Sequence, residues 1–288
     1  PVVLANARLS RRSAAAYRLI WTQEGSPLLV HGHQLVEKVR AELATRSDET
    51  FDVRLGMRYG KPSIRSVLKS YQADGVDQII VLPLYPQYAS STIGSTLEEV
   101  FRSASRLWNV PAISVCPPFY DHPGFTEAWR QVLSETADLS KYDHVLFSFH
   151  GLPERHVKKS DLSGGQHCLM SENCCDRIVP ANRYCYRAHC LQTARQIARS
   201  IDLPEDRWTM TFQSRLGRDP WLRPYTDEVV PELAARGVRR LAICSPAFVA
   251  DCLETLEEIG MRAAEDFRKA GGEECCLLPS LNVHPAWI

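Results

Sequence analysis

His150 stands at the end of an apolar run, Val145-Leu-Phe-Ser-Phe149, and is followed by Gly-Leu-Pro153. An imidazole takes or gives a proton near neutral pH and binds transition metals. The run is short and bounded by turn residues, so it reads as a buried strand of a parallel sheet. That puts His150 at the carboxyl end of a strand, where open α/β sheets bind their ligands. Gly151 allows a sharp turn, and Pro153 stops the strand. The plainer reading is a histidine that caps the strand on a nearby carbonyl. A second candidate is Asp251-Cys-Leu-Glu-Thr-Leu-Glu-Glu258, after an apolar run from Arg240 to Cys244. It reads as the opening of a helix, where Asp251 and Glu254 would serve as caps favoured by the helix dipole. The chemical reading is that Glu254 faces His150 across one cleft. A histidine and a carboxylate so opposed trade protons or hold a divalent metal transiently.

The third group is sulfur. Of the ten cysteines, Cys168, Cys174, Cys175, Cys185 and Cys190 crowd into one stretch. The segment Ser160–Arg183 is polar, carries Gly164-Gly165 and reads as an insertion at about 160–190. In a chain with no signal-peptide pattern, such a cluster points to a metal site rather than disulfides. Three chemistries compete. Structural zinc would use cysteines with His167 or His189. A [2Fe-2S] cluster would use four thiolates. Free thiols are the third. The spacing contains no zinc-ribbon pair two residues apart. Cys116, Cys244, Cys275 and Cys276 lie in strand-like runs and read as core fillers.

The 34 basic and 34 acidic residues among 288 cancel. That argues against nucleic acid or an anionic membrane as a mainly electrostatic partner. No apolar run has the length of a membrane span. The expected state is a soluble cytoplasmic protein, with room only for weak peripheral contact with a membrane. The oligomeric state is not legible.

Strands are expected at Pro1–Ala5, Phe51–Met57, Gln78–Leu84, Ala112–Cys116, Val145–Phe149, Trp208–Phe212, Arg240–Cys244 and Glu274–Pro279. Helices are expected between them, including Ala14–Trp21, Thr92–Leu107, one with a face from Leu191 to Ile201, and Leu253–Ala270. The halves also resemble each other. Phe51-Asp-Val-Arg-Leu-Gly-Met-Arg-Tyr-Gly60 lies over Trp208-Thr-Met-Thr-Phe-Gln-Ser-Arg-Leu-Gly217, and the run from Gly75 lies over that from Gly237 at nearly the same offset. Two matches in one order suggest a duplicated βα set. The expected fold is α/β: two similar Rossmann-like lobes, residues 1–122 and 123–288, each a four-stranded mostly parallel sheet flanked by helices, with the active site in the cleft between them.

Four motifs together resemble ferrochelatases: Ser148-Phe-His-Gly-Leu-Pro153, Pro86-Gln-Tyr-Ala-Ser-Ser-Thr-Ile-Gly94, Phe212-Gln-Ser-Arg-Leu-Gly-Arg-Asp-Pro-Trp-Leu222 and Phe248-Val-Ala-Asp-Cys-Leu-Glu-Thr-Leu256. The resemblance runs from about Tyr17 to the end. It implies insertion of ferrous iron into protoporphyrin IX or coproporphyrin to form haem, with the porphyrin between the lobes. By motif, His150 matches the catalytic histidine and Glu254 the facing glutamate, both candidates to meet the iron. Arg58 and Tyr59 match a pocket pair. Gln87 and Tyr88 belong to a pocket loop, and Trp221 and Phe248 match walls for the ring. Some ferrochelatases carry an internal [2Fe-2S] cluster, which favours that reading of the cysteines: Cys168, Cys185 and Cys190 with one of Cys174 and Cys175.

The sequence departs from the resemblance in three places. Cys252 stands where many relatives have histidine. Glu258 continues an acidic row along the helix, but Arg262 interrupts it, so a full carboxylate path for metal is not supported. Relatives also carry a Gly-Thr-Pro-type loop and a long segment before the helix of Tyr17, whereas here Asn6 leads on almost at once. The rival readings are a chelatase placing cobalt or nickel in another tetrapyrrole, and a haem-binding protein without turnover. A nucleotide-binding protein fits poorly, because no Gly-x-Gly-x-x-Gly follows a strand.

Overall fold

The computed structural model describes residues 7–288, with side chains from Ser13 onward. The elements run α1 (Ala7–Ile20), α2 (Pro27–Arg46), α3 (Ile64–Ala73), β1 (Gln78–Val81), a π-helical turn (Ser90–Gly94), α4 (Ser95–Ala104), β2 (Ala112–Val115), α5 (Pro123–Thr136) and β3 (His144–His150). Then come α6 (Glu154–Lys159), α7 (Tyr186–Ser200), β4 (Trp208–Gln213), α8 (Thr226–Ala235), β5 (Arg240–Cys244), a π-helix (Glu254–Ala263), α9 (Ala264–Lys269) and β6 (Glu274–Leu277). No helix among the described residues is long and apolar enough to cross a membrane.

The C-terminal sheet has the order β4-β3-β5-β6 and is parallel throughout. β3 lies inside it and is buried along its length until His150. Side chains alternate between the faces of a strand. Val145, Phe147 and Phe149 pack in a core with Phe125 and Trp129 of α5 and Ile197 of α7. Leu146 packs on the other face with Val230 of α8, Ile259 of the π-helix and Phe267 of α9. Burying each such large apolar side chain contributes about 1.5–3 kcal/mol. Helices thus cover both faces, as a parallel sheet requires. By the same alternation His150 leaves the strand on the face of Leu146 and Ser148, under the π-helix that begins at Glu254.

The N-terminal half repeats part of this plan. Met57 N–H donates to the Pro62 carbonyl at 2.7 Å, and Phe212 N–H to the Pro224 carbonyl at 2.8 Å, each just before a helix. Each of those helices is followed by a glycine with positive φ, Gly75 and Gly237. The correspondence matches Phe51–Gly56 to β4, β1 to β5 and β2 to β6. The fold class is as expected, but the strand count differs in this half. Among the described residues its sheet has two paired strands, β1 and β2. The expected strand Phe51–Met57 has only an isolated bridge from Met57 to Ser63. The physical reason is its missing neighbour: β4 and β5 both pair with β3, and no described strand stands in that place beside Phe51–Gly56. The expected strand Pro1–Ala5 lies outside the described residues.

Two more boundaries moved. The expected helix from Leu253 is wound with the wide i→i+5 pattern as far as Ala263. α7 begins at Tyr186, so His189 and Cys190 belong to a helix rather than to an irregular insertion.

Candidate active site

At the end of β3 the ring of His150 is fixed by its neighbours. Its Nδ1 lies 2.7 Å from the Gly151 carbonyl, which can only accept, so Nδ1 carries a proton and Nε2 is the basic nitrogen of the neutral ring. The His150 carbonyl accepts from the Tyr186 hydroxyl at 2.9 Å. Gly151 N–H donates to the Gln213 carbonyl at 2.8 Å. A Cβ on Gly151 would stand 2.8 Å from that same oxygen and 3.1 Å from Trp221 Cε3. Trp221 is anchored by its indole N–H on the Leu216 carbonyl, and the ring centroid of Phe248 is 6.3 Å from that of His150. The structure therefore gathers His150, Trp221 and Phe248 around one strand end.

Gln213 joins this group to Glu254. It is the register partner of His150 on β4. Its amide donates to the Glu254 carbonyl at 2.8 Å, and its amide oxygen accepts from the Ser148 hydroxyl at 2.7 Å. Ser148 also pairs with Thr226, which donates to Thr211. This buried network ties two strands to the start of the π-helix. Gln213 lies within one of the four motifs but is not among the site residues that the resemblance implies. The signal was present: like His150, it is a polar residue closing an apolar strand. The next residue, Ser214, has φ 63°, in the left-handed region. Glu258 holds it there, accepting from its amide at 2.8 Å and from its hydroxyl.

Glu258 is therefore spent on Ser214, and Glu257 pairs with Arg262. Asp251 is buried and accepts from Thr255 at 2.9 Å and from Asn282 at 2.7 Å. Cys252 is also buried, and burial together with the adjacent Glu254 carboxylate pushes its thiol well up. Tyr17 of α1 approaches the same carboxylate: burial, Glu254 and Cys252 raise its phenol.

The remaining residues that the resemblance singles out sit in the N-terminal half. Arg58 donates from Nε to the carbonyl and hydroxyl of Ser95, at 3.0 and 2.9 Å, and its guanidinium lies 4.7 Å over the Tyr59 ring. Tyr59 is 75% exposed. Gln87 is only 2% exposed, and its amide donates to Thr193 of α7 at 3.1 Å. Tyr88 is held to α7 by its main chain, and its ring tilts against Tyr184.

All five clustered cysteines are buried. Cys174 and Cys175 sulfurs are 3.6 Å apart, and those of Cys175 and Cys185 are 4.0 Å apart. The Leu169 amide donates to Cys174 Sγ at 3.3 Å, and Arg187 Nη1 is 3.9 Å from it. Burial pushes the Cys168 thiol up to about 11. Both nearby histidines are occupied. His167 Nε2 bonds the Cys174 carbonyl at 2.9 Å. His189 bonds Tyr88 and Arg183, and burial lowers its imidazole to about 4. The mixed Cys/His zinc site is thus not formed. No group of three or more His, Cys, Asp or Glu side chains among the described residues is arranged to hold a metal ion.

A family model described as Ferrochelatase matches residues 2–288. The chain is 44% identical over 278 residues to a ferrochelatase of Pseudomonas putida, aligning 96% of this chain with 80% of that protein. It is 46% identical over 277 residues to a ferrochelatase of Azotobacter vinelandii, with the same shares of 96% and 80%. Among solved structures, SirB from Bacillus subtilis with Fe3+ superimposes with a TM-score of 0.54 at 18% identity, over 88% of this chain and 86% of that one. That likeness is one of fold.

Proposed function

The chain belongs to the ferrochelatase family and inserts ferrous iron into a porphyrin, and from that premise we propose that His150 and Glu254 are the pair that does the work. Metal entry releases two pyrrole protons. Nε2 of His150, free because Nδ1–H is committed to the Gly151 carbonyl, accepts one of them. The Nδ1–H bond then steadies the imidazolium. The Glu254 carboxylate accepts the other proton, and both groups are candidates to meet the incoming iron. The observation that carries the assignment is Gln213, which is in register with His150 and bonded to the main-chain carbonyl of Glu254 at 2.8 Å.

Trp221 and Phe248 are read as walls that hold the macrocycle bent, which lowers the barrier to metal entry. Arg58 is assigned to a propionate, and Tyr59, Gln87 and Tyr88 to the remainder of the pocket. The substrate is read as protoporphyrin IX or coproporphyrin. The division into lobes at residues 122 and 123 is supported by Phe125 and Trp129, which pack in the core of the C-terminal sheet.

Four of Cys168, Cys174, Cys175, Cys185 and Cys190 are assigned as ligands of a [2Fe-2S] cluster. Support comes from five buried thiols, with Cys175 Sγ 3.6 Å from that of Cys174 and 4.0 Å from that of Cys185, and from an amide and a guanidinium directed at Cys174, although the described residues do not present a preformed four-ligand set. A bound cluster would supply a one-electron centre and a cross-link between the segment and α7. Cysteines in that role suit a reducing compartment, the cytoplasm.

The test is insertion of zinc or ferrous iron into protoporphyrin, followed by the Soret band, in wild type and His150→Ala. Turnover that disappears in the variant is expected. A variant that keeps the full rate would remove His150 from the chemistry.

A further inference from the structure

His189 and Thr193 lie one turn apart on α7 and are both about 1% exposed. They face the same two loops. His189 Nδ1 is 3.1 Å from the amide of Tyr88, which can only donate. The other nitrogen, Nε2, therefore bears the proton and donates to the Arg183 carbonyl at 2.8 Å. The ring stacks on Tyr120 with centroids 3.7 Å apart and planes 9° apart. Thr193 accepts from the Gln87 amide at 3.1 Å and donates to the Tyr120 carbonyl at 2.9 Å. Two positions one turn apart on one helix thus hold the adjacent residues Gln87 and Tyr88. Arg183 belongs to the cysteine segment, two residues before Cys185.

We propose that His189 is a positioning residue for porphyrin binding, a buried strut that ties the main chain of the Gln87–Tyr88 loop to α7. The ring has no nitrogen left for a metal or for a substrate proton, so its contribution is geometric. It acts on the substrate only through Tyr88. The proposal rests on the reading of Gln87 and Tyr88 as pocket residues.

The two hydrogen bonds separate cleanly by substitution. Asparagine places an acceptor where Nδ1 stands, so His189→Asn keeps the bond to Tyr88 and loses the one to Arg183. Glutamine reaches the Nε2 position, so His189→Gln keeps Arg183 and leaves the Tyr88 amide without an acceptor. An orphaned buried donor is costly enough to release the loop. Metal-free protoporphyrin would be titrated by fluorescence into wild type, both variants and Tyr88→Ala, with kcat and KM for zinc insertion measured alongside. The expected result is a Kd within about twofold of wild type for His189→Asn. For His189→Gln, Kd and KM should rise about tenfold with kcat changed less than about twofold.

Equal behaviour of the two variants, with Tyr88→Ala impaired, would overturn the role of His189 alone. An unimpaired Tyr88→Ala would overturn the pocket reading and the proposal with it. The 15N spectrum of the wild-type ring gives an arm that needs no variant. The neutral Nε2–H tautomer is expected. An Nδ1–H tautomer or an imidazolium cannot accept from Tyr88, and either would overturn the proposal.

Discussion

Gly151 shows how tightly the carboxyl end of β3 is built. Its φ is not in the left-handed region, so conformational freedom is not what demands glycine here. Close approach is: an added methyl would press on the Gln213 carbonyl at 2.8 Å and the Trp221 ring at 3.1 Å. Gly151→Ala should cost about 1–3 kcal/mol in urea unfolding and also lower kcat, because the displaced oxygen belongs to the residue that pairs with His150. Unchanged unfolding and turnover would show that the contact relaxes freely. At the other end of the strand, His144 is buried and bonded to Thr209. Burial first, then the charge of Arg207, lowers its imidazole below the ordinary value of 6.5. The unfolded chain therefore takes up this proton at a higher pH than the folded one does. The stability it provides is complete above about pH 6.5 and is lost as pH falls below that value. Urea midpoints at pH 7.5 and 5.5 should converge in His144→Gln relative to wild type. An unchanged pH difference would assign the slope to other groups. The place of His150 at a strand end was legible in the sequence because one residue type ended one apolar run. Gln213 closes its own apolar run in the same way, but its partners were not legible, since the Ser148 hydroxyl and the Glu254 carbonyl are both far away in the chain.

The π-helix from Glu254 to Ala263 shows what an element adds to its residues. The sequence reading placed Glu254, Glu258 and Arg262 at steps of an ordinary helix. Wider winding breaks that alignment, since i→i+5 bonding no longer stacks residues four apart. Glu257 pairs with Arg262 instead, five residues on. Glu258 turns to Ser214, whose left-handed backbone is costly for a residue with a side chain. Glu258→Ala leaves that amide and hydroxyl without acceptors. It should destabilise the fold by about 1–3 kcal/mol, with Glu258→Gln recovering part of the loss. Chemical denaturation of the two variants checks this, and equal stability of wild type and Glu258→Ala would contradict it. Helical periodicity was legible in this stretch because α and π windings bury similar apolar positions. The winding itself was not, because tertiary bonds to Ser214 and Gln213 accompany it.

At the scale of the whole molecule, α7 is the common member. Its Tyr186 supports the His150 carbonyl, its His189 and Thr193 hold the Gln87–Tyr88 loop, and Cys185 and Cys190 lie at its start. Tyr186 is thus one hydrogen bond from His150, and Arg183 of the cysteine segment reaches Tyr88 through two, by way of His189. Protein purified under low oxygen should show thiolate-to-iron absorption bands, and Cys185→Ser should lose them. Bands that persist in the variant would exclude Cys185 from the ligand set.

The sequence by itself determined the α/β class, the alternation of most elements, the duplicated plan, and the titratable residue types that end the strands. Each of these is recorded locally, in apolar spacing, turn residues or a motif. Only the tertiary structure decided that Phe51–Gly56 forms no ladder, that Gln213 bridges His150 and Glu254, and that His167 and His189 are engaged elsewhere. Those outcomes depend on which distant donor meets which acceptor once the chain is packed. Spacing along the chain records how deeply a residue is buried, but not its partner.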